Sequence, residues 1–83
     1  MSYKIIWDKK ARDKLEKLET PFAQRIILKV RELSENPFSK DIKKLQGENS
    51  FRLRVGDYRV IFDIIRDAII ILNVGHRKNI YGK

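Results

Sequence analysis

The chain is predicted to be an α+β domain, with an N-terminal strand, a helical hairpin and then an antiparallel three-strand meander, the helices packed on one sheet face. Three observations predict it. Apolar residues recur at helical steps between Ala11 and Leu33. From Phe51 onward they alternate at a period of two instead. The alternating runs are broken at Gly56 and Asp57 and again at Arg66 and Asp67, each a two-residue turn.

Residues 2–7 open the chain with the apolar run YKIIW, whose β-branched and aromatic types favour a strand. Asp8 is suited to cap a first helix carrying Ala11, Leu15 and Leu18 on one face and almost only charge on the other. Thr20 followed by Pro21 reads as a second helix start, cap then proline in the first turn, with Phe22, Ile26, Val30 and Leu33 forming one apolar stripe. Asn36 and Pro37 end it. Residues 38–50 read as an irregular connection, punctuated by Gly47 and Asn49 and anchored by Ile42 and Leu45. The segment FRLRVGDYRVIF, residues 51–62, is a β-hairpin, and AIIILNV, residues 68–74, a central or well-covered strand. The tail GHRKNIYGK is basic and loses periodicity.

The chain has 83 residues, which fits a single domain over residues 1–83 and one modest core. Hydrophobic residues make up 42% and charged residues 36%, the balance of a folding, globular chain. No run approaches the roughly 18 apolar residues of a membrane span, and the N-terminus lacks the order of a signal peptide. No cysteine is present, so packing rather than disulfides or a thiolate metal site must hold the fold, and the expected location is the cytoplasm. The formal net charge of +8 favours a polyanionic partner such as nucleic acid, or an acidic protein, through counterion release.

If Gly56 and Asp57 are the loop residues, Val55 faces Tyr58, Arg54 faces Arg59, Leu53 faces Val60 and Arg52 faces Ile61. Three arginines then share one sheet face, two of them directly opposite, an arrangement that costs about 0.2–1 kcal/mol unless an anion meets it. A solvated outer sheet face would also carry arginines, with Asp57 or Asp63 offsetting some of the repulsion. The planar guanidinium fork nevertheless suits phosphate oxygens and stays charged near neutral pH. Elsewhere the chemistry is sparse. His76 is the single histidine, so a zinc site is not expected, and neither a GxxxxGK loop nor a GxGxxG fingerprint is present. No metal or organic cofactor is expected. Arg77, Lys78 and Tyr81 follow the last strand and can fold beside the hairpin arginines, where Arg77 adds a phosphate ligand and Tyr81 can stack on a base or orient a ribose hydroxyl.

The chain resembles the RelE/ParE superfamily of bacterial and archaeal toxins from toxin–antitoxin pairs. The resemblance runs through YKIIW, the helix pair, ENPF, KKLQG, FRLRVGDYRVIF and the closing VGHRKNIY, of which the last two are the most specific together. It implies a RelE-like fold and one of two activities. RelE-like members are ribosome-dependent endoribonucleases that cut messenger RNA; ParE-like members are DNA gyrase poisons on the same fold, which therefore cannot decide between them. The RelE-type site resembles a basic cluster whose five places are filled here by Arg52 and Arg54 on the first hairpin strand, Arg59 after the turn, Arg77 after the last strand, and Tyr81. That filling favours the nuclease. The best-known pattern has lysines where this chain has Arg52 and Arg54, and Tyr81 follows Arg77 at a shorter interval.

The chemistry that the resemblance implies is attack of a ribose 2′-hydroxyl on the adjacent phosphate with expulsion of the 5′-oxygen. Arg52, Arg54 and Arg59 are expected to bind and stabilise the phosphate, Arg77 to assist the leaving oxygen, and Tyr81 to orient or deprotonate the attacking hydroxyl. The general base stays open between Tyr81, His76 and an arginine: a guanidinium with a pKa above about 12 is a poor proton acceptor, and His76 faces away if the last strand continues through Gly75. The implied partners are a RelB-like cognate antitoxin in a hetero-oligomer, and the ribosome with its messenger RNA. A binding domain for ribosome or nucleic acid without enzymatic activity is the remaining alternative.

Overall fold

The computed structural model describes residues 2–39, 41–45 and 50–80. In chain order these form β1 (Lys4–Trp7), α1 (Lys9–Glu16), α2 (Thr20–Leu33), β2 (Ile42–Lys44), β3 (Phe51–Val55), β4 (Tyr58–Ile65) and β5 (Ala68–His76). The strands make one sheet in the order β1-β5-β4-β3-β2, antiparallel except for β1, which runs parallel to β5. The predicted meander is therefore its centre, and β1 and β2 are its edges.

Both helices begin where the backbone leaves an extended conformation. Asp8 caps α1 by accepting the Lys10 N–H at 3.2 Å, and its own N–H donates to the Ile71 carbonyl at 2.9 Å, tying strand to helix. The N-cap of α2 is Glu19, one residue earlier than the sequence indicates: the N–H groups of Phe22 and Ala23 both donate to the Glu19 carbonyl at 3.0 Å, so the first turn closes there and Thr20 is already helical. α2 ends at Leu33, short of Asn36. The Asn36 Oδ1 accepts the Phe38 N–H at 3.2 Å, turning the chain out of the helix around Pro37.

Residues 38–50 are not irregular throughout. Ile42, Lys43 and Lys44 pair with Leu53, Arg52 and Phe51 as an edge strand. Three residues are too few for a period of two to stand out in the sequence, and this strand borrows its ladder from β3.

Ala11 of α1 and Ile26, Val30 and Leu33 of α2 are buried against Leu53, Val55, Val60, Phe62, Ile69, Ile71 and Val74 of the sheet. Phe62 is fully buried and stacked on Phe51 at a centroid distance of 5.5 Å. Apart from Ala11, each of these side chains contributes about 1.5–3 kcal/mol by leaving water. All of them lie on the helix side of the sheet. Among the described residues no helix is long and apolar enough to cross a membrane.

The two hairpin turns differ in one respect. Gly56 has φ +58°, and Arg66 holds the same left-handed conformation at φ 56° with a side chain that disfavours it. Replacing Arg66 with glycine should raise stability by about 0.5–1 kcal/mol in urea unfolding, whereas a loss would show that the Arg66 side chain compensates its backbone.

Candidate active site

The hairpin register is the one a Gly56–Asp57 turn dictates: Val55 pairs with Tyr58, Arg54 with Arg59, Leu53 with Val60 and Arg52 with Ile61. Because Leu53, Val55 and Val60 are buried under the helices, the alternation sends Arg52, Arg54 and Arg59 to the opposite face. The structure thus brings these three together. Arg54 and Arg59 are directly opposite, and the next position in that row, across from Arg59, is Gly75.

A bulge in β5 extends the same face. Phe62 pairs with Ile71 while Ile61 pairs with Asn73, so Leu72 is an extra residue between them. Ile69 and Ile71 point to the helices before it, and Val74 after it. The odd positions thereby change sides, and Asn73 and Gly75 fall on the arginine face. The ladder continues one step further: the Arg77 N–H donates to the Asp57 carbonyl at 2.8 Å, and the Arg77 Nε lies 3.8 Å from the Asp57 Oδ1. Arg77 is therefore held at the hairpin tip, beside the row of Arg54 and Arg59.

The opposed cations are turned apart by separate acceptors. The Arg54 Nη2 pairs with the Asp41 Oδ1 at 3.2 Å, while the Arg59 Nη1 donates to the carbonyls of Gly56 at 2.8 Å and Tyr58 at 2.9 Å. Asp63, an expected counter-charge, instead accepts the Ser50 hydroxyl at 2.7 Å. Asp41 was hidden in the segment read as irregular; its role follows from β2, which also holds its backbone carbonyl 3.0 Å from the Arg54 N–H. Arg52 differs from the others. Its Nε is buried and meets no acceptor among the described residues.

After β5 the chain turns back over the arginine face. Asn79 and Ile80 both donate to the His76 carbonyl, at 2.8 and 2.9 Å, and Ile80 is buried above Gly75. A Cβ built on Gly75 would lie 3.1 Å from the Ile80 Cδ1, so a side chain there would press on Ile80, and the glycine leaves room for the turn. Tyr81 follows immediately but lies outside the described residues.

His76 is on the other side of the sheet. It pairs with Tyr58, the two rings meet edge to face at 5.5 Å, and Phe22 of α2 packs on Tyr58 at 5.3 Å. Its Nδ1 accepts the Lys78 N–H at 3.1 Å, which leaves the Nε2 as the ring nitrogen open to other partners. These rings, with Arg25 and the turn residues Gly56 and Asp57, line a pocket of 270 Å³ at the hairpin tip. Among the described residues no group of three or more His, Cys, Asp or Glu side chains is gathered as metal ligands.

A model of the family described as "ParE toxin of type II toxin-antitoxin system, parDE" matches residues 5–81. The chain belongs to this toxin family. Toxin RelE3 of Methanocaldococcus jannaschii is 47% identical over 49 residues, a segment that spans 58% of this chain and 56% of that relative. Among solved structures, a chain of the RelBE2 toxin–antitoxin complex of Mycobacterium tuberculosis superposes with a TM-score of 0.84 at 27% identity, covering 95% of each chain. A chain of the archaeal RelE–RelB complex of Pyrococcus horikoshii gives 0.82 at 28% identity, covering 95% of this chain and 99% of that one. A chain of the Methanococcus jannaschii RelB–RelE complex is 32% identical with a TM-score of 0.75, over 92% and 94%. The ParE-family chain thus has the RelE-like fold, with its arginine face formed by the three central strands.

Asp41 sets how much of this positive face is offset internally. Asp41→Asn should elute from a heparin column at higher salt than wild type, and higher than Asp67→Asn, which removes the same charge from the exposed β4–β5 turn. Equal elution of the two variants would show that only net charge matters. The stability cost of Asp41→Asn should stay below about 1 kcal/mol, because the pair is partly solvated.

Proposed function

We propose that this toxin is a ribosome-dependent endoribonuclease that cleaves messenger RNA without a metal or organic cofactor. The observation that carries the reading is the cationic face of Arg52, Arg54 and Arg59, with Arg77 at its tip and the C-terminal turn folded back over Gly75. The family and the RelE-like fold support it.

In this reading the ribose 2′-oxygen attacks the adjacent phosphorus, the bond to the 5′-oxygen breaks, and the products are a 2′,3′-cyclic phosphate and a free 5′-hydroxyl. Arg54 and Arg59 approach the phosphate from neighbouring strands and stabilise the charge that grows on its oxygens, with Arg52 one strand repeat away. Arg77 assists the departing oxygen. The ring of His76 faces the helices against Tyr58, which argues against it as the base and favours Tyr81 for orienting or deprotonating the hydroxyl. An arginine-dominated site is weak in acid–base chemistry, so a ribosome that bends and holds the message supplies part of the orientation. The relatives solved as toxin–antitoxin complexes support pairing of this chain with a RelB-like antitoxin in a hetero-oligomer.

The matching family model carries the ParE name, which favours a second reading, inhibition of DNA gyrase. Primer extension on ribosome-bound messages separates the two. Discrete cleavages should appear and fall by roughly 100-fold or more in Arg59→Ala and in Arg77→Ala, with circular dichroism unchanged. Undiminished cleavage in both variants would remove the assigned roles, and intact messages together with gyrase-linked DNA breaks would establish the second reading.

A further inference from the structure

The cationic face does not end at β3. Lys43 is directly opposite Arg52 in the β2–β3 ladder, so its side chain leaves the sheet on the arginine side. Its neighbours in β2 leave on the other: Ile42 packs against the core, and Lys44 stands opposite Phe51. Lys43 is exposed at the sheet edge, and among the described residues no carboxylate pairs with it.

This contrasts with the hairpin tip. There Arg54 and Arg77 each have a carboxylate partner and Arg59 has two backbone carbonyls. Among the described residues, Lys43 and Arg52 are two like charges side by side with neither, and the buried Arg52 Nε meets no acceptor there. Directly opposed cations repel, and a bridging anion turns the repulsion into attraction. The chemistry is complementary as well: the guanidinium presents a fork to two oxygens, and the ammonium is a mobile point charge that reaches a third. Arg52 and Arg54 project from the same face about 6.8 Å apart along the strand, a separation at which each can meet its own anionic group on one chain.

We propose that Lys43 and Arg52 form a second phosphate subsite, which holds the phosphodiester adjacent to the one surrounded by Arg54, Arg59 and Arg77. The ligand class is the backbone of a single-stranded polynucleotide that crosses from the hairpin tip over β3 and leaves the sheet past β2. The inference rests on the ribonuclease reading for the identity of the first phosphate. Lys43 does not touch the reacting group, so its contribution is to binding.

The test is the salt dependence of binding of the full chain to a single-stranded RNA oligonucleotide with 2′-O-methyl riboses, which binds but has no free 2′-hydroxyl to attack. Lys43→Ala should lower the magnitude of the slope of log affinity against log salt by about 0.7, the loss of one phosphate contact. Lys43→Arg should restore it. Lys44→Ala, which removes the same charge from the other side of the same strand, should leave it unchanged. With a cleavable message on the ribosome, Lys43→Ala should raise KM several-fold and leave kcat unaltered. An unchanged slope in Lys43→Ala beside a lowered slope in Arg54→Ala would overturn the subsite and leave the ribonuclease reading standing. Equal losses in Lys43→Ala and Lys44→Ala would overturn it too, since net charge alone would then be at work. Unchanged slopes in Lys43→Ala, Arg52→Ala and Arg54→Ala together would overturn both.

Discussion

The structure depends on one constraint, the two-residue period of side chains in the central strands, and on the single place where it is broken. Ile69 and Ile71 face the helices at odd positions, and Val74 faces them at an even one. Without an extra residue, burying Ile69 and Ile71 would send Gly75 and Arg77 toward the helices, and Val74 to the arginine side. The bulge at Leu72 lets both halves of β5 bury their apolar residues. It thereby brings a position without a side chain opposite Arg59 and a fourth arginine to the hairpin tip. The core and the cationic face are thus set by the same inserted residue.

Given that division, the electrostatics of the face follow from what lies beside each cation. Arg54 and Arg59 are opposed in the ladder, and backbone geometry alone would leave them in mutual repulsion. Asp41 and the turn carbonyls draw the two guanidinium groups to different sides, and Asp57 does the same for Arg77. The two ion pairs are partly solvated, so each is worth at most about 1 kcal/mol, and in the proposed reading a phosphate would compete with them on favourable terms. The effect of these contacts is to fix where each guanidinium sits, with Arg59 folded back on the carbonyls of its own turn. An anionic ligand of the proposed kind would then meet cations already placed, with less rotamer freedom to lose.

Much of this was legible in the sequence because it rests on local rules. Two-residue turns at Gly56 and Arg66 fix the register of the hairpins, and once Leu53, Val55 and Val60 are taken as buried, the side of every arginine in β3 and β4 is determined. What escaped were features that depend on pairing between distant segments. β2 is three residues long and has no pattern of its own, so Asp41 and Lys43 could not be placed until β3 offered a partner. The bulge leaves a trace in the spacing of Ile69, Ile71 and Val74, but Ile70 and Leu72 are apolar too and hide the change of side. The parallel pairing of β1 with β5 joins the two ends of the chain, and no local signal announces it.

Arg52 occupies the least compensated position on this face. Its Nε is buried without an acceptor among the described residues, and a donor left in that state costs about 1–3 kcal/mol of desolvation. The neighbours across the ladder deepen the imbalance, since Ile61 on one side offers no acceptor and Lys43 on the other adds a like charge. The helix-side core does not hold the residue, whose side chain leaves the sheet on the opposite face and is packed there closely enough to bury the Nε. An anionic oxygen at the outer end of the Arg52 guanidinium would relieve the repulsion from Lys43, and the same oxygen at Arg54 would first have to displace Asp41. In the proposed reading, a phosphate at Arg52 meets a cation with no counter-charge among the described residues, and one at Arg54 exchanges with Asp41. On the proposal that this face holds RNA, a strand anchored at the first position could be adjusted at the second, which is the division of labour that a reacting phosphate requires.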